Sequence, residues 1–227
     1  MTTATHTPMT TATIMTTDPV LTLTQWLSPA FPVGAFTYSH GLEHLVATGT
    51  VTNAATFFEW LTDTLRHGAG RSDVILLAAA FRADTAELQE IDDLARALAP
   101  SSERLLETGQ QGSAFSRTVA AIHNIDLPAL TYPVAVGHAA RLQNLPLEET
   151  ARLFLHAFAA NLTSAATRLV PLGQTEAQAA LLRSTQLCKD IAATAITETI
   201  DDIASTTFAS DIASMNHETQ YSRLFRS

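Results

Sequence analysis

Pro146-Leu147-Glu148-Glu149-Thr150-Ala151-Arg152-Leu153-Phe154-Leu155-His156-Ala157-Phe158-Ala159-Ala160-Asn161-Leu162-Thr163-Ser164-Ala165-Ala166-Thr167-Arg168-Leu169 decides the fold class. Leu147, Ala151, Phe154, Leu155, Phe158, Leu162, Ala165 and Leu169 recur at helical intervals, so one face of a long helix is apolar. Proline precedes it, and Glu148 and Glu149 sit against the positive end of its dipole. After Pro171-Leu172-Gly173 a comparable helix runs from about Gln174 to Ile200, with Ala177, Leu181, Cys188, Ile191 and Ala195 roughly in phase.

The same period continues upstream. Asp18-Pro19 is a cap followed by proline at the first helical position, and Val20, Leu23, Trp26 and Leu27 follow in phase up to Ser28-Pro29. A second helix is predicted from near Ala35. A third runs from Asn53 with Phe57, Phe58, Leu61 and Leu65 on one side until Gly68 and Gly70 interrupt it, and another starts at Ser72. Asp84-Thr85-Ala86-Glu87 has the form of a capping box, and Leu88, Ile91, Ala95 and Leu98 then mark a helix stopped by Pro100. Ser101 or Ser102 caps the next, which continues towards His123. Gly109 and Gly112 lie within it, and each costs roughly 1 kcal/mol against alanine. Either they allow close backbone packing or the helix breaks there.

No segment of useful length alternates like a strand, and no internal repeat is present. The expectation is an all-α, single-domain helical bundle. It spans residues 18–215, after a threonine-rich, disordered extension at 1–17 and before a C-terminal tail at 216–227.

At 227 residues, 46% hydrophobic and 15% charged, the chain can bury a sizeable core without staples. Its formal charge of -9 would repel a phosphate backbone, which argues against nucleic acid as partner. Cys188 is the only cysteine, so neither an internal disulfide nor a thiolate-rich metal site can form within one chain. The apolar run Val74 to Phe81 falls far short of the roughly 20 residues that cross a bilayer. The lone cysteine fits a cytoplasmic location, and the start carries neither the basic cluster nor the apolar core of a signal peptide.

Trp26 through His44 obeys no single helix or strand rule: prolines 29 and 32 fix φ, and Gly34 permits a turn. Within it His40-Gly41-Leu42-Glu43-His44 matches H-x-x-E-H, the inverted zinc-protease pattern. A zinc-dependent hydrolase would place both imidazoles on one helical face with Glu43 activating water, but it also needs a third ligand. Alternatively both histidines lie on a solvated or partner-facing surface. No P-loop occurs, Lys189 is the only lysine, and no G-x-S-x-G elbow is present.

Ser28-Pro29-Ala30-Phe31-Pro32-Val33-Gly34-Ala35-Phe36-Thr37-Tyr38-Ser39-His40-Gly41-Leu42-Glu43 resembles the N-terminal signature of the urease accessory protein UreF family. His217-Glu218-Thr219-Gln220-Tyr221-Ser222-Arg223-Leu224-Phe225-Arg226-Ser227 is similar to that family's C-terminal tail, and Asn161 through Pro171-Leu172-Gly173-Gln174 falls between them in the right order.

The resemblance implies a non-catalytic chaperone of nickel insertion. It would dimerise, dock onto UreD (UreH in some systems), recruit the UreG GTPase and act on apo-urease. Tyr38, Tyr221, Ser222, Arg223, Leu224, Phe225 and Arg226 would then face UreD, and Pro171, Gly173 and Gln174 would contribute to the UreG surface. The plainer alternative for the latter is a turn with glycine as a C-cap. No stable cofactor is implied. Ni²⁺ would pass in transit, with Glu43 and His44 as candidates to meet it, while the family's tolerance of glutamine at His40 speaks against an obligatory ligand there.

Burying Tyr221, Leu224 and Phe225 returns less than the backbone entropy of fixing the tail. Hydrogen bonds or a receiving surface must supply the difference. The reading is therefore a tail ordered fully by a partner, the alternative being a final turn folded back on its own bundle. Tyr38 and Arg223 are the pair expected to couple tail and N-terminal turn.

Overall fold

The computed structural model describes residues 18–226; the threonine-rich extension at 1–17 lies outside them. Helices α1 (Pro19–Trp26), α2 (Leu42–Ala47), α3 (Ala54–His67), α4 (Ala69–Arg82), α5 (Thr85–Ala97), α6 (Ser102–His123), α7 (Tyr132–Leu142), α8 (Leu147–Leu169), α9 (Gln174–Ala195) and α10 (Phe208–His217) follow in order. Among the described residues there is no strand, so the fold is all-α as the periodicity predicts.

Local chemistry sets the helix starts. The Asp18 carboxylate accepts the N–H groups of Val20 and Leu21, Asn53 and Thr56 form a reciprocal capping box, and Asp84 and Glu87 form another. Gly68 alone separates α3 from α4; Gly70 is helical and sits against the Leu65 backbone. The helix after the first break therefore starts at Ala69, earlier than Ser72.

α4 is the centre. Val74, Ile75, Leu77, Ala78 and Ala80 are all fully buried, and α3, α5, α7, α8 and α9 pack around them. The sequence pattern does not mark α7, whose Gly137 lies against the Leu77 carbonyl, where a Cβ would overlap that oxygen. α6 runs unbroken through Gly109 and Gly112, and Gly112 explains itself, because a Cβ there would strike the carbonyl of Leu130. α8 and α9 form a hairpin over one side of α4. α9 ends at Ala195, short of Ile200, where a separate 3₁₀ turn begins.

The largest departure lies between Gly34 and Leu42. Only Ala35–Thr37 forms a 3₁₀ turn; Tyr38 is extended, and His40 (φ 55) and Gly41 (φ 78) are both left-handed before α2 starts at Leu42. A helix beginning near Ala35 is thus replaced by a corner.

Candidate functional site

This corner decides where the signature residues go. A non-glycine residue at positive φ is unfavourable, and at His40 surrounding contacts hold it there. The ring meets Glu107 Oε1 at 3.1 Å and Arg104 at 3.0 Å, and it stands edge-on to Phe158 with centroids 4.8 Å apart. Because His40 is not helical, His40 and His44 do not share a helical face, and the zinc-protease geometry is not formed. Among the described residues no group of three or more histidine, cysteine or acidic side chains could hold a metal ion.

His40 belongs instead to a buried charged cluster. Arg104 pairs with Glu107 and lies 4.0 Å from Asp73, while Gln111 donates to Glu107 at 2.8 Å. Burial would raise the Glu107 carboxyl, yet Arg104 and His40 together hold it down at about 2. Asp73 lacks such compensation and is pushed up to about 6 by burial, with Arg104 opposing. Burial, reinforced by Arg104, lowers His40. Asp73 and Arg104 line two cavities of about 50 and 120 Å³, one under Phe31 and Phe36, the other beside Pro100 and Asp211.

The second half of the site is the chain's end. Gly41 has no Cβ, and one built there would lie 2.8 Å from the Ser214 nitrogen, so α10 packs directly on the corner. Ser101 and Ser214 share a 2.7 Å hydroxyl hydrogen bond beneath it. Beyond α10 the tail turns back. The Leu224 and Phe225 N–H groups donate to Glu43 Oε1 and Oε2 at 2.7 and 2.9 Å. His217, 0% exposed, spans Glu43 Oε2 at 3.1 Å and Glu103 Oε2 at 2.8 Å, and Arg223 donates to the other Glu103 oxygen at 2.6 Å. The Arg226 N–H donates to the Thr37 carbonyl at 2.8 Å.

In this structure the tail is folded back on its own domain, with these hydrogen bonds beside its apolar contacts. Phe225 is the one large apolar residue of the tail that goes inside, at 4% exposure, with the Arg168 guanidinium 4.6 Å from its ring centroid. Tyr221 at 105% and Leu224 at 69% face solvent, as do Ser222 and Arg226.

Tyr38 and Arg223 do not meet. The buried Tyr38 hydroxyl donates to Gln110 at 3.0 Å and has Arg226 as its tail partner, while Arg223 goes to Glu103. Burial, then Glu107, raises the Tyr38 phenol, and Arg226 works against both.

Glu43 is 7% exposed with both oxygens committed to tail donors, whereas His44 is partly exposed on α2. Pro171 and Gly173 are exposed on the turn between α8 and α9, and Gln174 is exposed at the first position of α9. Gly173 is the N-cap of α9 at φ -70, not a C-cap, and its N–H donates to Glu176 at 2.9 Å. Arg168 links that end of α8 to the tail through Phe225.

Sequence reasoning singled out Glu43 but missed Glu103, Arg104, Glu107 and Asp73. Their helical spacing reads as ordinary solvated charge; only the fold brings them under the corner.

The chain matches the family model for UreF over residues 51–185. Proteins named urease accessory protein UreF are similar over nearly the whole chain. The one from Roseobacter denitrificans is 54% identical, covering 94% of this chain and 96% of its own. That from Ruegeria sp. TM1040 is 57% identical, covering 94% and 100%, and that from Rhodopseudomonas palustris is 46% identical, covering 90% and 92%. With a family model matching more than half its length and relatives this close aligned end to end, the chain belongs to the UreF family.

Proposed function

We infer that this chain is a non-catalytic, cytoplasmic chaperone of urease maturation that works by binding other proteins. In this reading two copies associate, the tail and α10 dock onto UreD, and the turn around Pro171, Gly173 and Gln174 helps to recruit the UreG GTPase. The assembly forms on apo-urease so that Ni²⁺, the cargo, reaches the active site along a protected route.

The observation that carries it is the row of exposed apolar residues on α10, with two more in the tail. Phe208, Ile212 and Met215 recur along one side of α10, and all are exposed together with Tyr221 and Leu224. Apolar residues gathered in this way mark a protein contact more often than a solvated surface. The relatives are named urease accessory proteins, which supports a role in urease maturation.

The test is capture of UreD by the full chain, compared with a chain lacking residues 224–227. Loss of capture with helicity intact supports the docking role. Undiminished capture overturns it.

A further inference from the structure

Trp26 and His123 join the first helix to the end of α6 by a hydrogen bond whose direction is fixed. An indole N–H can only donate, and here it donates to His123 Nε2 at 3.3 Å, the two rings standing edge-on with centroids 5.4 Å apart. His123 is therefore neutral in this contact, with its proton on Nδ1. An imidazolium carries a proton on both ring nitrogens, so its Nε2–H would point at the indole N–H, donor against donor. Trp26, 0% exposed, would then keep an unmet N–H inside the core.

The surroundings make this bond the one that acid changes. His123 is half-buried in the last turn of α6, where solvent protons reach it. Burial lowers its affinity for a proton, and a hydrogen bond with Gln143, just after α7, works the other way. α1 carries no charged side chain. Around it Arg117 and Asp126 are exposed, Arg141 of α7 donates to the Arg82 and Ala83 carbonyls, and Arg152 of α8 pairs with Glu148.

What holds Trp26 also holds a roof. Its ring stands edge-on to Phe115 at 5.4 Å, and Phe31 meets the same phenylalanine at 5.7 Å. Between them Leu27, Ser28 and Pro29 join Phe31 in lining the cavity of about 50 Å³ that contains Asp73 and Arg104.

We propose that His123 and Trp26 form an acid-released latch, which seals α1 and the turn at 27–31 over the Asp73–Arg104 cavity near neutral pH and loosens that segment when His123 is protonated. The open segment binds the proton more readily than the closed one. The stability that the latch supplies is thus fully present above the ordinary imidazole value and is lost as pH falls below it. The latch belongs to the folded chain alone and does not rest on the function proposed above.

The experiment is amide hydrogen–deuterium exchange of residues 20–31 in the full chain, corrected for intrinsic exchange, at about pH 7.5 and about pH 5.5, on either side of the ordinary imidazole value. The proteins are the native chain, His123→Gln and Trp26→Phe, with helicity checked for each. The native segment should exchange faster at the lower pH by up to about tenfold, the limit for one imidazole that titrates near about 6.5 only when α1 is open. His123→Gln keeps an acceptor for the indole but cannot titrate, and Trp26→Phe has no N–H to strand, so both should lose that dependence. The indole N–H resonance of Trp26, identified by its loss in Trp26→Phe, should move with pH in the native chain and stay in place in His123→Gln. Native exchange or an indole signal indifferent to pH, or a pH dependence undiminished in either variant, overturns the latch.

Discussion

Gly41 and Ser214 meet backbone to backbone: a Cβ on Gly41 would lie 2.8 Å from the Ser214 nitrogen. The left-handed corner at the start of α2 is thus a seat for α10, and the two signatures at opposite ends of the chain form one structural unit.

Gly41→Ala should therefore carry two costs. Left-handed geometry costs an L-residue about 1–2 kcal/mol, and overlap with α10 adds about 1–3. Gly34 has the same φ of 78 but open space around it, so Gly34→Ala should pay only the first. Urea unfolding should place Gly41→Ala at least about 1 kcal/mol below Gly34→Ala. Equal losses would mean that the seat is not used.

On α6 the two glycines should respond in opposite directions. Gly112 lies against the Leu130–Tyr132 backbone, so Gly112→Ala must move α6 away from the segment entering α7. Around Gly109 the nearest heavy atom is Arg96 Nη1, 3.8 Å from the Cβ position. Gly109→Ala should stabilise by about 0.5–1 kcal/mol through helix propensity, while Gly112→Ala should destabilise by about 1–3. Thermal midpoints read both, at about 2–4 °C per kcal/mol for a chain of this size.

These pairs also show what could be read in the sequence. Helix periodicity and caps are local, so α1, α3, α5, α6, α8 and α9 were legible from residues such as Asp18, Asp84 and Glu148. The packing of α7 and α10 depends on bare backbone contacts at Gly137 and Gly41, which no periodicity encodes. In the site, Glu43 and the tail were visible as motifs. Their partners Glu103 and Glu107 were not, because a carboxylate on α6 becomes special only when His217 and His40 arrive from distant parts of the chain.

The buried cluster should give two carboxylates with opposite pH behaviour. Asp73, at about 6 against an ordinary 3.8, holds its proton more tightly folded than unfolded, so its contribution falls as pH rises through that window. Glu107, at about 2 against 4.5, contributes stability that is present above 4.5 and lost as pH falls towards 2. Asp73→Asn should accordingly stabilise the domain near neutral pH, with no gain left below about pH 4. Glu107→Gln should destabilise near neutral pH and converge on the native protein in acid. Denaturation midpoints measured across pH check both, and a destabilising Asp73→Asn at neutral pH would contradict the assignment.

Phe225 is the last test, because it separates tail from domain. Its ring is buried beside Arg168, yet the tail reaches the bundle mainly through Glu43, Glu103 and Thr37. Truncating a buried phenylalanine in a rigid core costs about 3–5 kcal/mol, but a terminal segment can open alone, and then the global transition need not feel the loss. Phe225→Ala should make the tail far more susceptible to limited proteolysis after Arg223 while leaving the thermal midpoint of the helical domain within about 2 °C of native. A midpoint that falls much further would place the tail inside the cooperative core, and Phe225 would then be a core residue of the whole bundle.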